Sequence, residues 1–205
     1  MRVRNRLLDS TISLMQRKGV VGTSISEILD HSQASRRSLY VQFPCGKAEL
    51  IDLATRRAGE QTHAYLETLA TESEPHRMID QIIEHWKQRL VNNDFGAGCP
   101  IAAAALARCE TPTAADSAAD IFGRWEQTLA HALVAHRVAP EDALALATTT
   151  FAAIEGAIVM SVAARSSAPL DRIRSQMTSL IGHYATTTAE SVPSVGEMTK
   201  NPAVT

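Results

Sequence analysis

Apolar residues recur every three or four positions along most of the chain, which is the spacing of one face of an α-helix. The first such run ends at Gly19, and two short runs and a long one follow it. Nine helices and no strand are predicted, so we expect an all-α fold. The predicted helices are Val3 to Lys18, Ile25 to about His31, Ser35 to about Gln42, Lys47 to about Ala70, Pro75 to Asn92, Pro100 to Arg108, Thr113 to His136, Pro140 to Ala164 and Pro169 to Thr186.

Local signals delimit the second and third helices. The sequence from Ser24 to Glu27 is a capping box, in which each of these two side chains accepts a hydrogen bond from the other residue's backbone amide. Ser35 can cap the third helix, and Pro44 and Gly46 end it. Two short helices joined by a tight turn, with a supporting helix before them, are typical of a helix-turn-helix unit, whose second helix enters the major groove of DNA.

The predicted recognition helix carries two arginines in its first turn, Arg36 and Arg37. Arginine can hold the O6 and N7 atoms of guanine with two parallel hydrogen bonds. Ser38 is small enough for close approach, while the polar side chains around it suit phosphate oxygens. An alternative is a solvated basic turn with Tyr40 as an ordinary core aromatic. The predicted DNA-binding residues are Thr23, Ser35, Arg36, Arg37, Ser38, Tyr40, Gln42 and Lys47.

The charge distribution agrees with a nucleic-acid partner for the N-terminal part. Residues 1–59 contain ten Lys or Arg against five Asp or Glu, whereas the rest of the chain contains ten against 17. A basic N-terminal part fits a polyanion, and an acidic remainder does not. Aromatic residues make up only 4% of the chain while apolar residues make up 45%, which also favours packed helices over a sheet.

Several other classes of protein are not expected. No signal segment precedes the first helix, and the apolar stretch from Ala143 to Ile154 is broken by Glu155, so we expect a cytoplasmic protein with no membrane-spanning helix. The three cysteines form neither a disulfide framework nor a zinc motif, and we expect no metal or cofactor. No HExxH, phosphate-binding loop or Gly-x-Ser-x-Gly motif supports an enzyme. A non-specific DNA-coating protein and, less favoured, a helical ligand-binding enzyme remain as alternatives.

The motifs resemble a known family. The segments Gly22 to Ile28, Ser35 to Phe43 and Gly46 to Leu50 closely resemble the N-terminal signature of the TetR family of transcription regulators. The stretches Phe43 to Lys47 and Gly98 to Ala102 are similar to the LmrA/YxaF-like branch. The chain departs from the family pattern with Gln33 in place of a usual glycine, Gln42 in place of a frequent histidine, and Cys45 inside the linkage.

The resemblance implies a bacterial, nucleoid-associated homodimer that represses transcription from a palindromic operator and is released by a small-molecule effector. It implies a DNA-binding domain over residues 1–50, a ligand-binding and dimerisation domain over 51–187, and a tail over 188–205, which its composition predicts to be disordered. Whether Cys45 or Cys99 is reactive stays open, Cys99 being either a redox or electrophile sensor or a buried inert thiol.

Family dimers form through the last two long helices, and family pockets lie among the middle helices of the C-terminal domain. An apolar stripe on the last helix and small residues on the one before agree with such an interface, although an intrachain core stripe is an alternative. The predicted interface residues are Ala153, Gly156, Ala157, Ile173, Met177, Leu180, Ile181 and Tyr184. Glu155, a charge in an apolar helix, is the candidate polar anchor for an apolar ligand, whether aliphatic or aromatic. The predicted ligand-binding residues are Trp86, Arg89, Trp125, Phe151, Glu155 and Met160.

Overall fold

The computed structural model describes residues 2–190, with side chains up to residue 184. Within that part of the chain the regular structure consists of nine α-helices without a strand, which confirms the predicted all-α fold. The helices are α1 (Val3–Lys18), α2 (Ile25–Ser32), α3 (Arg36–Gln42), α4 (Lys47–Glu72), α5 (Pro75–Asn92), α6 (Pro100–Leu106), α7 (Pro112–Ala135), α8 (Pro140–Ala164) and α9 (Ala168–Glu190).

Short-range chemistry explains where the helices begin. At α2 the Glu27 backbone N–H donates to Ser24 Oγ at 3.2 Å and the Ser24 N–H donates to Glu27 Oε2 at 3.1 Å, which is the predicted capping box. At α3 the Ser38 N–H donates to Ser35 Oγ at 3.0 Å. Each helix from α5 to α8 begins with a proline, whose fixed φ suits the first helical turn and whose missing N–H would have no partner there.

A single long helix, α4, joins the N-terminal three-helix unit to the C-terminal body. Its first turns carry Leu50 and Ile51, which are fully buried beside Leu7 and Phe43 of the three-helix unit. Its later turns pack against α7, where Gly59 lies under Ile121. A change in the body that tilts α4 therefore acts directly on the three-helix unit.

The last helix is longer than the sequence predicts. Helix α9 runs to Glu190, so residues 188–190, which were assigned to the tail, are helical. The remainder of the predicted tail, residues 191–205, lies outside the described residues. The division into domains at residue 50 stays a prediction, because α4 crosses that point without interruption.

Helix α8 is the one helix in residues 2–190 that is long and apolar enough to cross a membrane by length and composition, whereas the sequence predicted none. Glu155, the charge that we expected to rule out a membrane span, lies within this helix. Core helices of non-membrane proteins can be equally long and apolar, and α8 packs against α7 and α9. Less than half of its most apolar window is buried, however, so one apolar face of α8 is left uncovered by this chain.

Candidate nucleic-acid interface and ligand cavity

The orientation of α3 follows from its two buried residues. Leu39 and Phe43 are fully buried and fix the inward face of the helix. At about 100° per residue, Arg37 and Val41 then lie on the opposite face, flanked by Tyr40 and Ser38. Arg37 is exposed, and neither it nor Arg36 has a carboxylate within ion-pair distance among the described residues. Two unpaired guanidinium groups are thus presented on the surface of the predicted recognition helix.

Val41 belongs to this surface, although the sequence analysis did not include it. Its side chain is 67% exposed, which is unusual for a branched apolar residue. On a helix in the major groove, such a side chain suits contact with the methyl group of thymine. A helical projection centred on Leu39 and Phe43 would have identified it from the sequence.

The turn between α2 and α3 has a left-handed residue, Gln33, at the position where the sequence departs from the usual glycine. Gln33 adopts the left-handed conformation, with φ 51° and ψ 41°. The Ala34 N–H donates to the Leu29 carbonyl at 3.1 Å, which closes α2 and sets the direction of α3. A non-glycine residue in this conformation costs about 1 kcal/mol, so the turn is formed under local strain.

The start of α4 lies beside the recognition helix and has free backbone donors. Gly46 precedes the helix with φ 71°, and a Cβ there would lie 3.3 Å from Tyr40 Cε1, so the Tyr40 ring covers this position. No side chain caps the first turn of α4, where Lys47 is half-buried, although the Cys45 N–H before it donates to Glu49 Oε2 at 2.9 Å. Amides and a cation at a helix N-terminus suit a phosphate.

The structure separates the predicted DNA-binding residues into an exposed set and one buried residue. Thr23 is fully buried and its hydroxyl donates to the Gly19 carbonyl at 2.7 Å, so the predicted phosphate contact through this side chain is not available. Tyr40 is 43% exposed, which argues against the alternative of a core aromatic. The side chains that remain at the surface are those of Ser35, Arg36, Arg37, Ser38, Tyr40, Gln42 and Lys47.

An ion pair holds α1 against α2 on the same unit. Lys18 Nζ contacts Glu27 Oε1, and this hydrogen bond together with the Ser24 backbone and side chain lowers the pKa of Glu27 to about 2. The capping carboxylate is therefore ionised at any physiological pH. Arg57 of α4 is similarly paired with Asp9 of α1 at 3.0 Å, whereas the two arginines of α3 have no ion-pair partner among the described residues.

A cavity of about 210 Å³ lies among α1, α4, α5, α6 and α7. It brings together three of the predicted ligand-binding residues, Trp86, Arg89 and Trp125, with the Arg89 guanidinium 5.1 Å from the centre of the Trp86 ring. Its other lining residues come from helices far apart in sequence, and no sequence signal identified them. They are Ile12, Gln16, Ala58, Gln61, Thr62, Tyr65, His85, Cys99, Pro100 and Ile101.

The three other predicted ligand-binding residues do not line this cavity. Phe151 is buried and packs its ring 6.0 Å from that of Trp125, so it supports the cavity wall from behind. Met160 is 58% exposed on the outer face of α8, which is incompatible with a place in the pocket. Glu155 lines a separate groove between α1, α6 and α8, and Cys99 borders both spaces.

Glu155 and Cys99 lie together in that groove, the glutamate half-buried and the thiol buried. Burial raises the pKa of Glu155 to about 7, and its Oε2 atom has no hydrogen-bond partner among the described residues. The Cys99 thiol is buried, and burial together with the nearby Glu155 carboxylate raises its pKa well above the ordinary value. A thiol in this state is protonated and unreactive, which favours the inert alternative for Cys99 over the sensor.

The predicted interface residues fall on two different surfaces. On α8, Gly156 is exposed and Ala153 is half-buried, but Ala157 is 2% exposed and belongs to the core of its own chain. On α9, Met177 and Ile181 are buried against the same chain. The other members of the α9 stripe are half-buried: Ile173, Leu180 and Tyr184. Two of the five α9 stripe residues thus serve the core of their own chain, as in the alternative explanation, while the other three stay partly exposed beside the uncovered apolar face of α8. The interface on α9 stays a prediction.

Two family models match the chain. Residues 7–54 match the bacterial regulatory proteins of the tetR family, and residues 75–176 match the C-terminal domain of LmrA/YxaF-like transcriptional regulators. The uncharacterized HTH-type transcriptional regulator Rv0196 of Mycobacterium tuberculosis is 33% identical over 185 residues, covering 87% of this chain and 93% of that protein. The regulator YxaF of Bacillus subtilis is 28% identical over 183 residues, with 87% and 94% covered.

Solved structures share the fold. A TetR transcriptional regulator from Legionella pneumophila superposes with a TM-score of 0.79 at 17% identity, covering 88% of this chain and 97% of that one. The regulatory protein TetR from Rhodobacter sphaeroides gives a TM-score of 0.76 at 16% identity with the same coverage. The matched families and relatives are transcription regulators and not enzymes, which confirms the prediction that this chain is not an enzyme.

Proposed function

Because the chain belongs to the tetR family of bacterial transcription regulators, we propose that it is a repressor that binds a palindromic DNA operator as a homodimer and is released by a small-molecule effector. In this proposal residues 1–50 bind DNA, residues 51–187 bind the effector and the second subunit, and the protein acts in the cytoplasm at the nucleoid. The single observation that carries the proposal is the outward face of α3, with Arg37 unpaired at its centre.

The DNA-binding part is supported by the two kinds of side chain on this surface, those suited to base edges and those suited to phosphates. Arg36 and Arg37 are free to contact base edges, and Val41 offers an apolar contact beside them. Tyr40, Lys47 and the first amides of α4 suit the flanking phosphates. Phosphate contacts fix the register of the protein on the duplex, whereas the arginines supply sequence preference.

A mobility-shift titration tests this proposal. The full chain is titrated at fixed salt against its own upstream DNA and against scrambled DNA of the same length. A specific regulator is expected to prefer its site by roughly 10³ or more. Arg37→Ala is expected to remove most of that preference, and Arg77→Ala, at an exposed arginine of α5, is the matched control. Equal weak affinity for both DNAs would instead indicate a non-specific DNA-coating protein.

The homodimer is supported by the uncovered face of α8. Ala152, Gly156, Val159 and Met160 are exposed along one side of the helix and carry no charge. A Cβ at Gly156 would meet no atom within 4 Å, so a second helix can approach this position closely. An apolar helix face of this kind is costly in water and is typical of a subunit interface.

Gly156→Trp tests the interface. Gly156 is exposed and a Cβ there meets no atom of its own chain within 4 Å, but a large side chain would separate two helices packed at this position. We therefore expect a monomer by sedimentation with unchanged helical content. Gly123→Trp is the matched control, because Gly123 is also inside a helix with nothing within 4 Å of a Cβ, but it lies on α7 beside α4. A variant at Gly156 that remains dimeric would exclude this face of α8.

The response to an effector is supported by the contact between the cavity and α1. Gln16 of α1 lines the cavity, and its backbone carbonyl accepts a hydrogen bond of 2.8 Å from the Gly98 N–H, in the loop before α6. Cys99 and Pro100, which follow Gly98, also line the cavity. A ligand that displaces this loop would therefore shift α1 and the three-helix unit, which changes the spacing of the two recognition helices in a dimer.

A further inference from the structure

The lining of the 210 Å³ cavity combines aromatic walls with hydrogen-bond donors. Trp86 and Trp125 contribute two indole rings, and Tyr65 and His85 add a third and a fourth ring at 5.0 Å from each other. Flat apolar walls of this kind favour a planar ring between or beside them. The aromatic residues of the cavity therefore point to an aromatic ligand.

The polar groups of the cavity can satisfy an acceptor better than a donor. No Asp or Glu is among its lining residues, and Glu155 lies in the neighbouring groove. Burial and the nearby Arg89 both lower the pKa of His85, so His85 is neutral near pH 7. Arg89 therefore carries the only formal charge among the lining residues, and this charge is positive.

Two of these donors have no acceptor among the described residues. The Trp125 indole Nε1 is buried without a hydrogen-bond partner, in a residue that is 3% exposed. Arg89 has no ion pair in the described part of the chain, and its guanidinium is held against the Trp86 ring instead. A buried N–H without a partner costs about 1–3 kcal/mol, so two unpartnered donors in residues that line one cavity favour a ligand that carries acceptors.

The volume limits the size of that ligand. A cavity of about 150 Å³ in another protein is known to hold benzene. A cavity of about 210 Å³ therefore suits one aromatic ring with a short substituent.

We propose that the effector is a small single-ring aromatic carboxylate, bound as its anion with the carboxylate on Arg89 and the ring against Trp86 and Trp125. This inference rests on the proposed function, because it names the ligand of the cavity that we assign to the effector. In this inference Arg89, and not Glu155, is the polar anchor of the ligand. A carboxylate anchor would require a ligand that donates hydrogen bonds, and Arg89 would repel a cationic ligand. Arg89 and the loop residues Cys99 and Pro100 line the same cavity, and the bond from Gly98 to Gln16 connects this loop to α1.

Tryptophan fluorescence tests the inference directly, because both tryptophans of the chain line this cavity. The full chain is titrated with benzoate and salicylate, and in parallel with the neutral benzamide and the cationic benzylamine. We expect saturable quenching by the carboxylates, with at least 10-fold weaker binding of benzamide and none of benzylamine. Equal binding of all four compounds, or no quenching by any of them up to millimolar concentrations, would overturn the inference.

Arg89→Gln separates the charge from the shape of the cavity. A charge-assisted contact is worth enough that the variant is expected to bind benzoate about 10- to 100-fold more weakly, while benzamide binding stays unchanged. Arg77→Gln, at an unpaired exposed arginine on the same helix, is the matched control and is expected to have no effect. Unaltered benzoate binding by Arg89→Gln would overturn the inference.

A mobility shift with the upstream DNA distinguishes failure of this inference from failure of the proposed function. The wild-type chain and Arg89→Gln are expected to bind the DNA equally in the absence of ligand, and benzoate is expected to release only the wild type. Operator binding that no aromatic carboxylate reverses would overturn the effector class and leave the repressor in place. If the chain binds aromatic carboxylates but no DNA, the proposed repressor function is overturned and the ligand site stands alone.

Discussion

Replacing Gly59 by alanine is expected to destabilise the protein at the contact between α4 and α7. A Cβ at Gly59 would lie 2.4 Å from Ile121 Cδ1 and 2.6 Å from Ile121 Cγ1. Ordinary carbon contacts are about 3.5–4.0 Å, so the Ile121 side chain would have to move by roughly 1 Å. Ile121 is 1% exposed, so its side chain is already packed against its neighbours and any shift disturbs them.

The magnitude follows from two opposing effects. A Gly→Ala change inside a helix normally stabilises by about 0.5–1 kcal/mol, while an extra methyl group in a packed core costs about 1–3 kcal/mol. We therefore expect a net loss of about 1–2 kcal/mol in the free energy of unfolding. For a chain of this length that corresponds to a decrease of roughly 2–8 °C in Tm.

Urea denaturation at one fixed protein concentration measures the effect, since subunit association also contributes to stability. Gly123→Ala is the control, because a Cβ at Gly123 meets nothing within 4 Å, and it should show only the stabilising part. Ile121→Ala removes the clashing atoms. The double variant with Gly59→Ala should therefore lose about 1–3 kcal/mol less unfolding free energy than the two single variants lose together. Stabilisation by Gly59→Ala, or strict additivity with Ile121→Ala, would refute the close approach of the two helices.

Three further predictions concern strain, protonation and thiol reactivity. Gln33→Gly is expected to raise the free energy of unfolding by about 0.5–1 kcal/mol, because it relieves the left-handed conformation, and urea denaturation that shows no gain would contradict this. In the wild type, the pKa of Glu155 is raised to about 7, so its protonated carboxyl stabilises the fold fully below about pH 4.5 and this stabilisation is lost as the pH rises through 7. Glu155→Gln does not titrate and is expected to abolish this pH dependence of the free energy of unfolding. Melting curves across this range that are parallel for the two proteins would exclude that role. The two exposed thiols are expected to react rapidly with a disulfide reagent while Cys99 reacts only after unfolding, and three fast thiols in the native chain would count against its burial.

Interactions between residues close in sequence were predictable. The hydroxyl and carboxylate of Ser24 and Glu27 form the capping box where the sequence places it, and Ser35 caps α3 as expected. The helix-turn-helix unit and its two free arginines follow from these local signals, and so does the family resemblance that the comparisons confirm. Such contacts involve only a few neighbouring residues, so their chemistry can be read along the chain.

Only the tertiary structure decided which face of each helix is covered and by what. Periodicity marked Met177 and Ile181 as an apolar stripe, but the packing of α9 on α5 and α8 buries both inside the chain. The resemblance suggested Met160 for the pocket, although that side chain is on the outside of α8, and no local signal showed that Thr23 is buried. The cavity draws its lining from five helices whose mutual rotation no local signal specifies. A helical period gives the angle of a residue around its own axis, whereas the partner that it meets depends on how the helices pack together.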